Sequence, residues 1–253
     1  MLNFLHDNTK FLGKNVLYTH NCFSTQDIIH HKIRCKQDSD GLLATTHYQT
    51  HGRGQQTNKW YSKPFQHLTF SFLLYPNGLN AQKHFNLNIM ICLAIYESLK
   101  QYINTDNLKI KWPNDIFYHN KKLGGILIEN YIYDQMIKKS VVGVGININS
   151  HVNMGYCTTC LKDICYGFFS LYHLLNDLLL FFEHFYKKLT CNIDLKESYI
   201  KNMYKYQEKV SFFKDKNVIQ GRIIGITTLG LLTVQHLHDK SIHYYTPKTI
   251  KWI

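Results

Sequence analysis

No apolar stretch of the 253 residues approaches the roughly 20 residues that a helix needs to span a bilayer. Residues 1–10 carry Asp7 and several polar side chains, with neither an apolar segment nor a cleavage pattern. No secretion signal is read there, and the expected compartment is the cytoplasm. Acidic side chains are scarce, 17 against 29 Lys and Arg, which leaves a formal net charge of +12. The basic residues are scattered and form no Lys/Arg block, so the charge alone does not indicate a dedicated nucleic-acid role. It does favour encounter with an acidic protein. Cysteine is present seven times, an odd number. With no export signal, a disulfide framework is not expected. His151 with Cys157, Cys160 and Cys165 would allow a zinc site to be drawn, but the second C-x-x-C pair of most structural zinc sites is missing. These cysteines read as free thiols, and no metal ligand is assigned. Internal repeats and low-complexity linkers are also absent.

The composition, 45% hydrophobic and 18% charged, is that of a globular chain. Residues 68–74 (LTFSFLL) alternate, with Leu68, Phe70, Phe72 and Leu74 on one face, and predict a strand. Segments 109–112, 116–119, 125–129 and 141–146 predict further strands. Residues 82–102 carry apolar side chains at helical spacing, and residues 168–189 predict a second long helix with a broad apolar face. The expected fold is α/β (α+β), a mixed sheet flanked by helices. Beyond residue 200 the pattern changes to short strands at 209–213, 218–226, 231–235 and 241–245, punctuated by Asn217, Gly230 and Asp239-Lys240. This predicts a small β-barrel over residues 201–253 after a larger domain over residues 1–200.

Four segments carry polar or flexible groups of chemical interest. In residues 49–60, QTHGRGQQTNKW, Gly52 and Gly54 flank Arg53, so the backbone can approach a ligand while one guanidinium faces its anionic oxygens. In Lys111-Trp112-Pro113-Asn114-Asp115, proline sets a sharp turn that presents amide and carboxylate beside a lysine. In residues 121–129, KKLGGILIE, Lys122 leads into a strand through two glycines, where it can offset the charge of a phosphate or oxyanion. In residues 143–149, GVGININ, a glycine-spaced strand ends in Asn147. Each alone reads equally well as an ordinary turn, hairpin or tightly packed strand.

In their order and spacing these segments resemble the catalytic domain of biotin protein ligases. The likeness extends upstream to Ser24-Thr25-Gln26-Asp27 and downstream to Gly221-Arg222-Ile223-Ile224-Gly225. It implies a class II aminoacyl-tRNA-synthetase-like catalytic domain with a C-terminal SH3-like barrel. It further implies ATP-dependent conversion of biotin to biotinyl-5′-AMP, followed by transfer to a lysine of the biotin carboxyl carrier protein of acetyl-CoA carboxylase. Ser24, Thr25, Gln26 and Gln49 would then line the polar head of the biotin pocket, with Trp60, Gly125 and Leu127 around its apolar part. Arg53, Gly54 and Gln55 would close over biotin and adenylate, Arg53 and Lys122 serving catalysis. Lys111, Asn114, Asp115, Lys122 and Asn147 would face ATP and its Mg²⁺. Many relatives carry arginine where this chain has Gln55, Gln56 and Asn58, so the loop here holds less positive charge. The resemblance also leaves room for a homodimer. With the biotin motif starting at Ser24, no DNA-binding helix-turn-helix and no sequence-specific DNA partner are expected.

Two rivals remain. A lipoate–protein ligase would share the fold class and the adenylation, but the glycine-rich Arg…Gly-Gly-Gly…His-Asp segment of that family is not found. A basic nucleic-acid-binding protein would need aromatic and basic residues clustered on the barrel, for which Lys209, Phe212, Phe213, Lys214 and Lys216 offer a little.

Overall fold

The structure, a computed structural model, describes residues 9–152, 157–214, 217–247 and 249–253. It opens with β1 (Val16–Cys22), α1 (Thr25–Arg34) and β2 (Leu43–Gln49), followed by two two-residue strands, β3 (Gly52–Arg53) and β4 (Lys59–Trp60). Then come β5 (His67–Leu74), α2 (Phe85–Leu99), β6 (Leu108–Lys111), β7 (Asp115–Tyr118), β8 (Lys121–Tyr133) and β9 (Met136–Asn147). The helices α3 (Leu161–Cys165), α4 (Leu171–Thr190) and α5 (Lys196–Lys201) lead to β10 (Lys209–Lys214), β11 (Asn217–Ile226), β12 (Leu232–His236), β13 (Ile242–Tyr245) and β14 (Lys251–Trp252).

A seven-stranded mixed sheet in the order β1-β2-β5-β9-β8-β7-β6 forms the main layer. The pair β1–β2 is parallel and the others antiparallel. Alternation along β5 sends Phe70 and Phe72 into the large core, where both pack against Phe182 of α4. Leu73 points the other way, joining Val141, Leu42 and Ala44 beneath Ile29 of α1. Both faces of β5 are therefore covered, and all eight of its residues are buried. Helix α2 is apolar nearly all round because it lies between other elements, with α4 and α5 among its neighbours. In α4 the buried residues Leu174, Leu175, Leu178, Leu179, Phe182, Phe185 and Tyr186 form one stripe, and Ser170 caps its first turn.

The C-terminal strands form a separate antiparallel sheet, β13-β12-β11-β10-β14. Its apolar side, with Phe212, Ile223, Leu232 and Val234, is continuous with the large core. Gly230 comes so close to Phe85 of α2 that a Cβ there would lie 2.1 Å from the ring. Among the described residues no helix is long and apolar enough to cross a membrane.

The strands and both long helices expected from the sequence are present, with β8 and β9 longer than their apolar centres. The elements β1, α1, β2, α5 and β14 add to them. Phe212, weighed above as a nucleic-acid contact, is fully buried against Trp252, and Lys216 lies outside the described residues.

Candidate active site

A cavity of about 880 Å³ opens on the α1 face of the main sheet, beside the start of that helix. Its floor is flat because the odd-numbered residues of β9 that face it are glycines. Gly145 pairs with Gly125 and Gly143 with Leu127. A Cβ on Gly145 would stand 2.4 Å from Trp60 Cε2, and one on Gly143 would stand 2.7 Å from Gln26 Nε2. The indole of Trp60 thus lies directly on the floor, and its Nε1 is buried with no hydrogen-bond partner among the described residues.

One end of the cavity is polar, buried and internally bonded. Ser24 precedes α1 in extended conformation, while Thr25 and Gln26 occupy its first turn, all three at most 3% exposed. Gln49 ends β2, and its Oε1 accepts from the Thr25 backbone N–H at 2.7 Å and the Thr25 hydroxyl at 3.1 Å. Thr25 Oγ1 also meets Ser71 Oγ at 2.7 Å. Gln26 Nε2 donates to the Leu127 carbonyl at 3.0 Å, and Gln26 Oε1 is buried without a donor among the described residues. A buried orphan acceptor costs free energy until a ligand supplies an N–H or O–H.

The other end is charged. Lys111 ends β6, and the turn through Trp112 and Pro113 brings Asn114 and Asp115 to the start of β7. Three elements hold this turn. Trp112 Nε1 donates to the Gly230 carbonyl at 2.9 Å, while Tyr199 and Asn88 both donate to the Pro113 carbonyl. Asn114 is 7% exposed and donates its amide to the Ile126 carbonyl, so it fastens the turn to β8. Asp115 Oδ1 accepts from Lys122 Nζ at 2.7 Å. The Lys111 ammonium lies among the rings of Phe117, Trp252 and Tyr204, at 4.6, 5.0 and 5.9 Å from their centroids. Burial pulls its pKa below the usual lysine value, Asp115 opposing and Lys122 reinforcing the shift.

Over the cavity runs the loop between β3 and β4. Its ladder is short, pairing Gly52 with Trp60 and Arg53 with Lys59, and Gly54 N–H donates to the Asn58 carbonyl at 2.8 Å. Gly52 is required here, since a Cβ would lie 2.4 Å from the Trp60 carbonyl oxygen. Gln56, Thr57 and Asn58 are exposed at the tip. Arg53 lines the cavity, but its guanidinium is bonded to Asp27 and Glu129.

All the residues assigned above to biotin, ATP or catalysis line this one cavity except Asn147. That residue is 4% exposed, and its amide donates to the Thr159 carbonyl at 3.0 Å. Thr159 N–H in turn donates to the Lys122 carbonyl, so Asn147 supports the strand behind Lys122. Ser71, Tyr204 and Trp252 were not anticipated. Ser71 leaves a trace, a hydroxyl inside an apolar strand on the face opposite Phe70 and Phe72. Tyr204 and Trp252 leave none, being distant in sequence. Of the cysteine set, Cys160 groups with His151 and Asp163, their ligand atoms within 4.8 Å of one another, while Cys157 and Cys165 stand apart from that group. Burial pushes the Cys160 thiol up to about 11, so it stays protonated near neutrality.

The model of the family described as "Biotin/lipoate A/B protein ligase family" matches residues 21–147. The bifunctional ligase/repressor BirA of Bacillus subtilis is 30% identical over 147 residues, covering 57% of this chain and 44% of that protein. Biotin–protein ligase 1, chloroplastic, of Arabidopsis thaliana is 29% identical over 242 residues, covering 88% of this chain and 63% of that protein. The matches thus span less than two thirds of either relative. Among solved structures, the biotin protein ligase of Aquifex aeolicus in complex with biotin and ATP superposes with a TM-score of 0.74 at 26% identity, over 94% of this chain and 98% of that one.

Proposed function

The chain belongs to the biotin/lipoate A/B protein ligase family, and we propose that it activates biotin with ATP and transfers it to a lysine of the biotin carboxyl carrier protein of a carboxylase. The observation that carries this reading is one cavity with two unlike ends. A flat glycine floor with an orphaned amide oxygen and an orphaned indole N–H adjoins a cluster of two lysines and a carboxylate. The first end suits a neutral ring with donors and acceptors on an apolar body. The second suits phosphates.

Activation brings the biotin carboxylate against the α-phosphorus of ATP, with pyrophosphate leaving. Lys122 and Lys111 offset the repulsion between these anions. Lys122 starts bonded to Asp115, so it is already oriented and exchanges one anionic partner for another. Asp115, an oxygen donor facing the cavity, fits a hard divalent cation and is the residue that would hold Mg²⁺ beside the phosphates. Bound there, Mg²⁺ would shield phosphate charge. The product, biotinyl-5′-AMP, is a mixed anhydride that water destroys, and the 53–59 loop with Trp60 covers it. A neutral acceptor lysine attacks the acyl carbon and AMP departs. In this reading residues 1–200 bind and activate, while residues 201–253 supply one wall through Trp252. The net charge of +12 favours an acidic carrier, met in the cytoplasm.

The test is transfer of labelled biotin and of labelled lipoate to their respective carrier domains by the purified chain with ATP and Mg²⁺. Biotin transfer alone is expected. Lipoate transfer would keep the chemistry and overturn the assignment of the polar end, and transfer of neither by folded protein would overturn the reading.

A further inference from the structure

The guanidinium of Arg53 is forked between carboxylates on two different elements. Nη1 donates to Asp27 Oδ1 at 2.9 Å, and Nη2 donates to Glu129 Oε1. The second oxygen of Glu129 is shared with His30 Nε2 at 2.8 Å, and His30 Nδ1 meets the Tyr131 hydroxyl at 2.7 Å. Asp27 lies in the first turn of α1, next to the buried polar residues Thr25 and Gln26. Glu129 lies on β8, two residues beyond Leu127. The chain thus runs from the loop to both elements that frame the polar end of the cavity.

The loop has little else to hold it. A two-residue ladder is not stable by itself, and its tip is exposed. Arg53 is 38% exposed, Glu129 32% and Asp27 49%, so no single contact is strong in water. Two carboxylates on one planar guanidinium nevertheless fix it in orientation as well as position. The hydrogen bond from His30, together with the Arg53 charge, holds the Glu129 carboxyl below the usual range against its partial burial, so it stays ionised near neutrality.

From this arrangement we propose that Glu129 and Asp27 are positioning residues which, through Arg53, latch the 53–59 loop shut over the cavity and set how long a reactive product is retained. Arg53 then acts as a tether rather than as the cation that neutralises phosphate, a task left to Lys122 and Lys111. The consequence for product retention rests on the biotin-activating reading, whereas the latch itself belongs to the unliganded chain.

Hydrogen exchange of the full unliganded chain decides the matter. Glu129→Gln is expected to speed exchange of the loop amides by roughly three- to tenfold, with β5 and α2 unchanged. Arg53→Gln should do the same, and the double variant should exchange no faster than the faster single one, because both remove one latch. Unchanged loop exchange, or effects that simply multiply, would overturn the proposal. So would a rise spread through the whole sheet, which would make Glu129 a support of the fold. In single turnover with labelled ATP and biotin, escape of the adenylate into solution should rise by a similar factor in Glu129→Gln, and unchanged escape would overturn the link to retention. If the parent chain forms no adenylate at all, the biotin reading fails while the exchange measurement still judges the latch.

Discussion

At the polar end of the cavity, Ser24, Thr25, Gln26 and Gln49 sit in or beside regular elements, buried and largely bonded to one another and to neighbouring backbone. Across the cavity, the groups that would meet phosphate are paired ions, Lys122 with Asp115, roofed by a loop whose tip is exposed. Recognition of a fixed neutral shape favours groups whose bonding capacity is nearly used up, so that the remaining atoms point one way. Chemistry on a charged intermediate favours groups that exchange partners, and a roof that reopens. The two ends spend burial differently for that reason.

Removing Lys122 should give the largest effect. Lys122→Ala is expected to lower biotin-dependent exchange of pyrophosphate into ATP by about a hundred- to a thousandfold, the size seen when one charge-stabilising donor is lost. A fall below tenfold would mean that the charged end does not depend on this exchange of partners. Trp60→Ala should act on the other end, weakening biotin binding by about ten- to a hundredfold, equivalent to the roughly 1.5–3 kcal/mol of a large buried apolar side chain. Calorimetric titration with biotin reads this directly, and unchanged affinity would take Trp60 off the floor.

The central strand beneath the cavity should be acid-sensitive. His67, at the start of β5, is 1% exposed, and burial pushes its pKa down to about 4 against the opposing backbone contact of Tyr61. The unfolded chain takes up this proton near pH 6.5, the folded chain only near pH 4. The stabilising contribution is therefore complete above about pH 6.5 and is lost as pH falls towards 4, amounting to about 2 kcal/mol lost by pH 5. Urea unfolding at pH 7 and pH 5 should show that difference, and His67→Phe should remove it. The smallest effect belongs to the loop. Gln55→Arg adds a cation at a half-buried position of the roof and should slow escape of the adenylate by about two- to fivefold, measured in single turnover. A larger change would show that the roof, and not the floor, dominates retention.

Much of the floor was legible because its signals are local. Glycines at alternate positions of β9 and a lysine entering β8 through Gly124 and Gly125 are patterns within a few residues. The long helices were legible from their apolar spacing. Other elements were not, for identifiable reasons. Strand β1 is an edge strand, half-exposed along most of its length, and so lacks a clean alternation. Helix α1 reads TQDIIHHKIR and buries one apolar residue, Ile29, because its first turn is given over to Thr25 and Gln26. Trp252 and Tyr204 join Lys111 only through the packing of the two sheets. The glycines beside Arg53 are visible in sequence, whereas its partners Asp27 and Glu129 lie 26 and 76 positions away and are joined to it only by the fold.

The bond from Trp112 to Gly230 joins positions 118 apart and has a consequence for anyone engineering a shorter chain. Cutting the chain before β10 would remove that acceptor, strip the cover from Phe85, and unroof Lys111 on the side of Trp252. A trimmed version would need a replacement carbonyl for the indole and a new apolar cap on α2, so the C-terminal sheet is better treated as a fixed component of the design than as cargo.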